Sequence, residues 1–239
     1  MLKQTRLGLT LGTKPAGESD VRIKIFFKDQ GINFIHAKGA KRPKSKFLSL
    51  AQPYVYGEFI IAEKGRIKSL AGGEVIENFS GLANNYEALC CAARINEICA
   101  SLIPFEASAN AQLSLALKAL RRLSKGGAPI DYTLAVYVWR FIKEEGRAPN
   151  LEYCVYCGAN KTSLILVLPE GLVCENCKNK NAQIKSLSFE AFSLLKNLLE
   201  TSESAAFNAY PKSENARAEI IKLVDFFFQG LFREKLFGK

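Results

Sequence analysis

Four cysteines constrain this chain more than any other feature. Residues 154 to 177 read CVYCGANKTSLILVLPEGLVCENC, in which Cys154 pairs with Cys157 and Cys174 with Cys177, sixteen residues apart. Two residues between cysteines let one tight turn present both sulfurs to a single metal, and a second such turn completes a tetrahedron. This spacing reads as a zinc site. The intervening SLILVLPEGLVC alternates and turns at Pro169-Glu170-Gly171, so a short hairpin is expected to bring the two turns together. Four thiolates leave no position open for water or substrate. One Zn2+ per chain would therefore be structural, stabilising a segment too small to build its own core. A redox Cys-x-x-Cys usually occurs once, at a strand-to-helix junction, and does not fit this duplication.

The segment sits inside a chain whose hydrophobic period changes near residue 80. Before that point LGLTLG, VRIKIFFK, INFIHAK, YVYGEFIIAEK and RIKSLAGGEVIENF read as short strands separated by turn residues. Five strands in this length suit a small, partly open barrel, for which an OB-fold fits best, with an SH3-like barrel left open. From residue 84 onward the apolar residues recur at helical spacing in NNYEALCCAARINEICASLI, AQLSLALKALRRLSK and DYTLAVYVWRFIKEEG. After the cysteines, SFEAFSLLKNLLE and SENARAEIIKLVDFFFQGLFREKLF are helical again, with starts at Ser188 and Ser213. The expected fold class is α+β multidomain. An OB-fold barrel (residues 1–80) precedes a helical domain (81–150 and 186–239) that carries a four-cysteine zinc-finger insertion (151–185).

Charge is distributed unevenly over this plan. The 239 residues carry a formal net charge of +10, and residues 1–78 hold 14 Lys and Arg against 7 Asp and Glu, which accounts for +7 of it. Within KGAKRPKSKF, Lys38, Lys41, Arg42, Lys44 and Lys46 put five cations into nine positions, and no acid falls between Asp29 and Glu58. Charge concentrated this way is the electrostatic footprint of an anionic partner, and each cation can neutralise one phosphate. Gly39 and Pro43 shape the tract as a loop. In VRIKIFFK, Val21, Ile23, Ile25 and Phe27 share one face, while Arg22, Lys24, Phe26 and Lys28 share the other. The second face would extend the basic track, with Phe26 either stacking on a base or packing under the helices.

The chain offers no catalytic machinery: no Gly-rich phosphate loop, paired-carboxylate motif or nucleophile elbow is present. His36, the single histidine, has no assignable Asp or Ser constellation and is expected to be structural or to face DNA. Cys90, Cys91 and Cys99 fall on a helix and are expected to be small core residues. The N-terminus lacks an apolar run of signal-peptide length. The most apolar stretch is interrupted by Glu87, Arg94 and Glu97, so no membrane span is expected. With seven cysteines, a reducing compartment follows, and the cytoplasm is the expected location.

The run GLTLGTKPAGESDVRIKIFFKDQGINFIHAKGAKRPKSKFLSLAQPY resembles the N-terminal domain of the RecO family of bacterial recombination mediators. GESD, a strand ending at an x-x-G turn, KGAKRPKSKF and AQPY arrive in that family's order, and paired cysteines followed by a Leu-rich helix occur in many members. Ala16 departs from the aromatic residue that often precedes GES. Some members lack the cysteines, so zinc is not required for the family's activity. The resemblance implies an OB-fold, a helical domain and a zinc-binding insertion. It also implies a non-enzymatic role: binding single- and double-stranded DNA, annealing complementary strands, and loading recombinase onto coated single strands. The implied partners are RecR and the acidic tail of the single-strand DNA-binding protein. Readings from other classes are a zinc-finger DNA repair enzyme such as a glycosylase, an RNA-binding OB-fold protein, and a zinc-stabilised adaptor for an acidic protein.

Overall fold

The fold is described from a computed structural model, which covers residues 2–160, 165–181, 183–209, 211 and 213–237. The chain divides into two compact units, Met1–Gly127 and Ala128–Lys239.

The first unit is built on five strands: β1 (Leu2–Pro15), β2 (Val21–Phe27), β3 (Gly31–Ala37), β4 (Tyr56–Lys64) and β5 (Ile67–Glu77). They close into a barrel in the order β1-β2-β3-β5-β4, which is the expected OB-fold. β1 makes closure possible by pairing antiparallel with β4 through Leu2–Leu9 and with β2 through Gly8–Pro15. It bends at a register shift between Thr10 and Gly12. Gly8 lies where the two pairings overlap. A Cβ there would come within 2.8 Å of both Ile25 and Phe27 side chains, so only glycine lets the barrel fill at this bend.

The inward positions follow the period of two read from the sequence. Val21, Ile23, Ile25, Phe27, Ile35, Phe59, Ile61 and Leu70 are buried in one cluster. Phe27 and Phe59 meet edge to face with ring centroids 5.8 Å apart. Each such side chain contributes about 1.5–3 kcal/mol of burial.

Two helices complete this unit, α1 (Tyr86–Leu102) and α2 (Asn110–Lys125). Asn85 caps α1 by accepting from the Ala88 backbone N–H at 3.0 Å. Ala88, Ala92, Ile95, Cys99 and Leu102 form the buried stripe of α1. Cys99 is thus a core residue, but Cys90 is exposed and Cys91 only partly covered, contrary to the expectation for both. The class of secondary structure changes near residue 80 as expected, and α1 and α2 fall in the compact unit that ends at Gly127.

The second unit contains α3 (Ile130–Glu144), β6 (Ile165–Leu168), β7 (Gly171–Val173), β8 (Lys185–Leu187), α4 (Phe189–Glu200), α5 (Glu203–Asn208) and α6 (Glu214–Phe237). β6 and β7 form the expected hairpin across Pro169-Glu170, and β8 adds a third strand that the sequence pattern did not signal. Ser188 and Ser213 cap their helices as expected, accepting from Ala191 N–H and Ala216 N–H. Buried Trp139 of α3 meets Phe227 of α6 with centroids 4.7 Å apart. Among the described residues, no helix is long and apolar enough to cross a membrane.

Candidate nucleic-acid interface and metal centre

The basic tract is an irregular connection between β3 and β4, and it is anchored from both sides. Ala40, Phe47, Leu50, Ala51 and Val55 are buried in the barrel cluster, while Lys38, Lys41, Arg42, Lys44 and Lys46 are all exposed. Buried Thr10 of β1 donates its hydroxyl to the Leu50 carbonyl at 2.8 Å. The other side is held by Asp20, in the β1–β2 turn, which accepts from the Gly39 backbone N–H at 2.7 Å and sits 3.2 Å from His36 Nε2. The Lys41 backbone N–H donates to the Ser19 carbonyl at 3.0 Å, and the Lys41 ammonium reaches the Gly17 carbonyl. The Gly39 N–H holds the Asp20 carboxyl below its usual range; partial burial opposes this and the nearby His36 adds to it. Sequence reasoning missed this anchor. His36 lies opposite Arg22 in the β2–β3 ladder, but nothing in the pattern showed that Asp20 reaches across to it.

The strand face is less open than its alternation implied. Arg22 is exposed, with its guanidinium 4.6 Å from the centroid of the Phe34 ring. Lys24 is half-buried and donates to the Ala100 carbonyl of α1. Burial, with repulsion from Lys14, pushes its pKa down. Phe26 is fully buried, so it packs inside the unit and cannot stack on a base. Lys28 is exposed beyond the far end of β2, about 20 Å along the strand from Arg22. Arg22 therefore adjoins the anchored start of the tract, while Lys28 is separated from it by the covered stretch.

The metal-ligand candidates converge. The Sγ atoms of Cys154, Cys157, Cys174 and Cys177 all lie within 4.8 Å of one another. A tetrahedral zinc with bonds of about 2.3 Å places its sulfurs about 3.8 Å apart, so the cluster has the right size. Cys157 and Cys174 Sγ lie 3.5 Å apart, within thiol hydrogen-bond distance and without a disulfide. Backbone bonds shape both turns: Cys154 N–H to the Ala159 carbonyl, and Cys177 N–H to the Cys174 carbonyl. Val155 N–H donates to the Leu172 carbonyl and ties the first turn to β7.

Charge is shared unevenly among the thiols. Burial pushes the Cys154 thiol up, but backbone N–H donors from Cys174, Tyr156 and Cys157 outweigh it and bring the thiol down to about 6. Burial and the neighbouring sulfurs push Cys177 up to about 12. Cys154 forms a thiolate readily, while Cys157, also pushed up by the neighbouring sulfurs, and Cys177 resist, a penalty that a bound dication removes.

Comparison with known proteins agrees with this architecture. Residues 1–79 match the family model for the Recombination protein O N terminal domain, and residues 83–236 match that for the C terminal domain. The DNA repair protein RecO of Clostridium novyi is 26% identical over 95% of this chain and 88% of its own. That of Acetivibrio thermocellus is 30% identical over 82% and 83%. That of Bacillus subtilis is 25% identical over 93% and 87%.

Proposed function

The chain belongs to the RecO family of DNA repair and recombination proteins, and on that premise we propose that its basic tract holds DNA backbones so that complementary strands anneal. Family members are non-catalytic mediators, which agrees with a site made of cations and aromatic rings. The observation that carries the reading is the division of labour within the tract. Ala40, Phe47, Leu50, Ala51 and Val55 are buried and the Gly39 backbone is hydrogen-bonded to Asp20, while all five cations are exposed. A solvated loop needs no such anchoring.

Fixed cations screen the repulsion between two phosphate backbones, and base pairing then supplies the specificity. Lys38, Lys41, Arg42, Lys44 and Lys46 make the main contact with single- and double-stranded DNA, and Arg22 extends it. Lys24 and Lys28 contribute less, the first because it is half-buried against α1, the second because it is remote. In this reading the chain works with RecR and with the acidic tail of the single-strand DNA-binding protein to load recombinase, and it does so in the cytoplasm. Cys154, Cys157, Cys174 and Cys177 hold one structural Zn2+ per chain, the ion supplying charge neutralisation and a fixed tetrahedral node.

Annealing of two dye-labelled complementary oligonucleotides tests this, run over a salt series beside a variant with Lys41, Arg42, Lys44 and Lys46 changed to Ala. The log of duplex affinity should fall with log salt at a slope of about −4 to −5, and the variant should lose about 3 to 4 of that slope together with annealing. Equal annealing by both proteins would sink the assignment of the tract. Strand cleavage or base release would point to an enzyme instead.

A further inference from the structure

The connection between α1 and α2 carries an aromatic residue that packing does not explain. Phe105 is 59% exposed, yet the backbone that presents it is fixed at unusual cost. Pro104 accepts from the Ile32 N–H at 3.0 Å, and Glu106 N–H donates back to the Ile32 carbonyl. Glu106 adopts φ +55°, a left-handed conformation that non-glycine residues rarely take. Lys68 of β5 holds the segment down by donating to Glu106 at 2.5 Å and to Asn33 at 2.7 Å. Gly31 makes the approach possible, because a Cβ there would stand 2.3 Å from the Pro104 carbonyl oxygen. Any residue at position 105 could make these backbone bonds. Phenylalanine adds only a ring, which stacks on Phe34 at 5.6 Å with an interplanar angle of 29°.

We infer that Phe105 is a nucleobase-stacking residue for single-stranded DNA, with Phe34 as the ring that positions it. Phe34 already carries the Arg22 guanidinium and the Phe105 ring, so the open surface of the pair belongs to Phe105. Arg22, Lys24 and Lys14 supply positive charge on the neighbouring strands, which suits a nucleic-acid backbone and not a neutral apolar partner. Bases in a duplex are stacked on one another and cannot use this ring; unpaired bases can, whatever their sequence. The inference rests on the DNA-binding reading and refines it: the tract serves both forms of DNA, while Phe105 serves single strands alone.

Fluorescence anisotropy of the full chain with labelled oligothymidylate and with a labelled duplex, at one salt concentration, separates the possibilities. Phe105→Ala should lose about five- to a hundredfold in affinity for oligothymidylate and change duplex affinity by less than about twofold. Phe105→Trp should restore single-strand binding, and its emission should be quenched by oligothymidylate. The native Trp139 is fully buried and gives a constant background. Equal losses for both forms, or no loss for either while the unaltered chain binds, would overturn the role of Phe105 and leave the tract reading standing. No binding by the unaltered chain would overturn both.

Discussion

Asp20 is an acid placed at the edge of the most basic stretch of the chain, and its partners are a backbone N–H and the single histidine. These interactions favour the carboxylate, so its folded pKa lies below that of an unfolded aspartate. The anchor thus contributes at neutral pH and is lost as pH falls through the folded value. Changing Asp20 to Ala should speed amide hydrogen exchange at Gly39 and Lys41 while leaving the β2 core strand protected. Unchanged exchange would mean that the buried apolar side chains hold the tract alone. The sequence made the cations and the strand alternation legible at this scale, and the order Arg22, Lys24, Phe26, Lys28 does share a face. It did not reveal that α1 covers part of that face, because alternation says which residues point outward and not what packs over them. Hence the exposed ring that stacks on Phe34 is Phe105, in the connection after α1, while Phe26 is buried.

Elements with a regular period were read most directly. The five strands, the hairpin between the cysteine turns and the helix starts at Ser188 and Ser213 all follow from spacing and cap chemistry. The tract between β3 and β4 has no period, so its charge was plain but its buried Ala40, Phe47 and Leu50 were not. Nor did the sequence expose how α4 is terminated. Arg140, 4% exposed on α3, donates from Nη1 to the carbonyls of Leu198, Leu199 and Thr201, at 3.2, 3.4 and 2.8 Å. A guanidinium there satisfies the free carbonyls and opposes the negative end of the helix dipole. Replacing Arg140 by Met takes this donor from the Leu198 and Thr201 carbonyls, Leu199 keeping Lys143, at a cost of about 2–4 kcal/mol. Denaturant unfolding followed by far-ultraviolet circular dichroism would read the loss, and an unchanged midpoint would refute the cap.

For the whole molecule, the tract cations and the four clustered cysteines fall in different compact units, which separates their roles. Stripping the metal with a thiol-competitive chelator, or changing Cys174 to Ser, should abolish bound zinc and destabilise the second unit. The salt slope of DNA binding, set by residues of the first unit, should stay the same. A collapse of that slope on zinc loss would show that the units depend on each other. Charge asymmetry made the interface legible at this scale, whereas the packing of α1 and α2 with the barrel was not, since a change of period marks where helices begin but not which core they cover. The Pro104–Glu106 connection has one more consequence. β3 pairs with β5 through His36 and Ser69, and the connection takes the backbone groups of Ile32 toward the other end of the same strand. Unpaired strand edges are templates on which second molecules zip together. With Ile32 bonded to Pro104 and Glu106, that end of β3 offers no free ladder to a second copy of the chain.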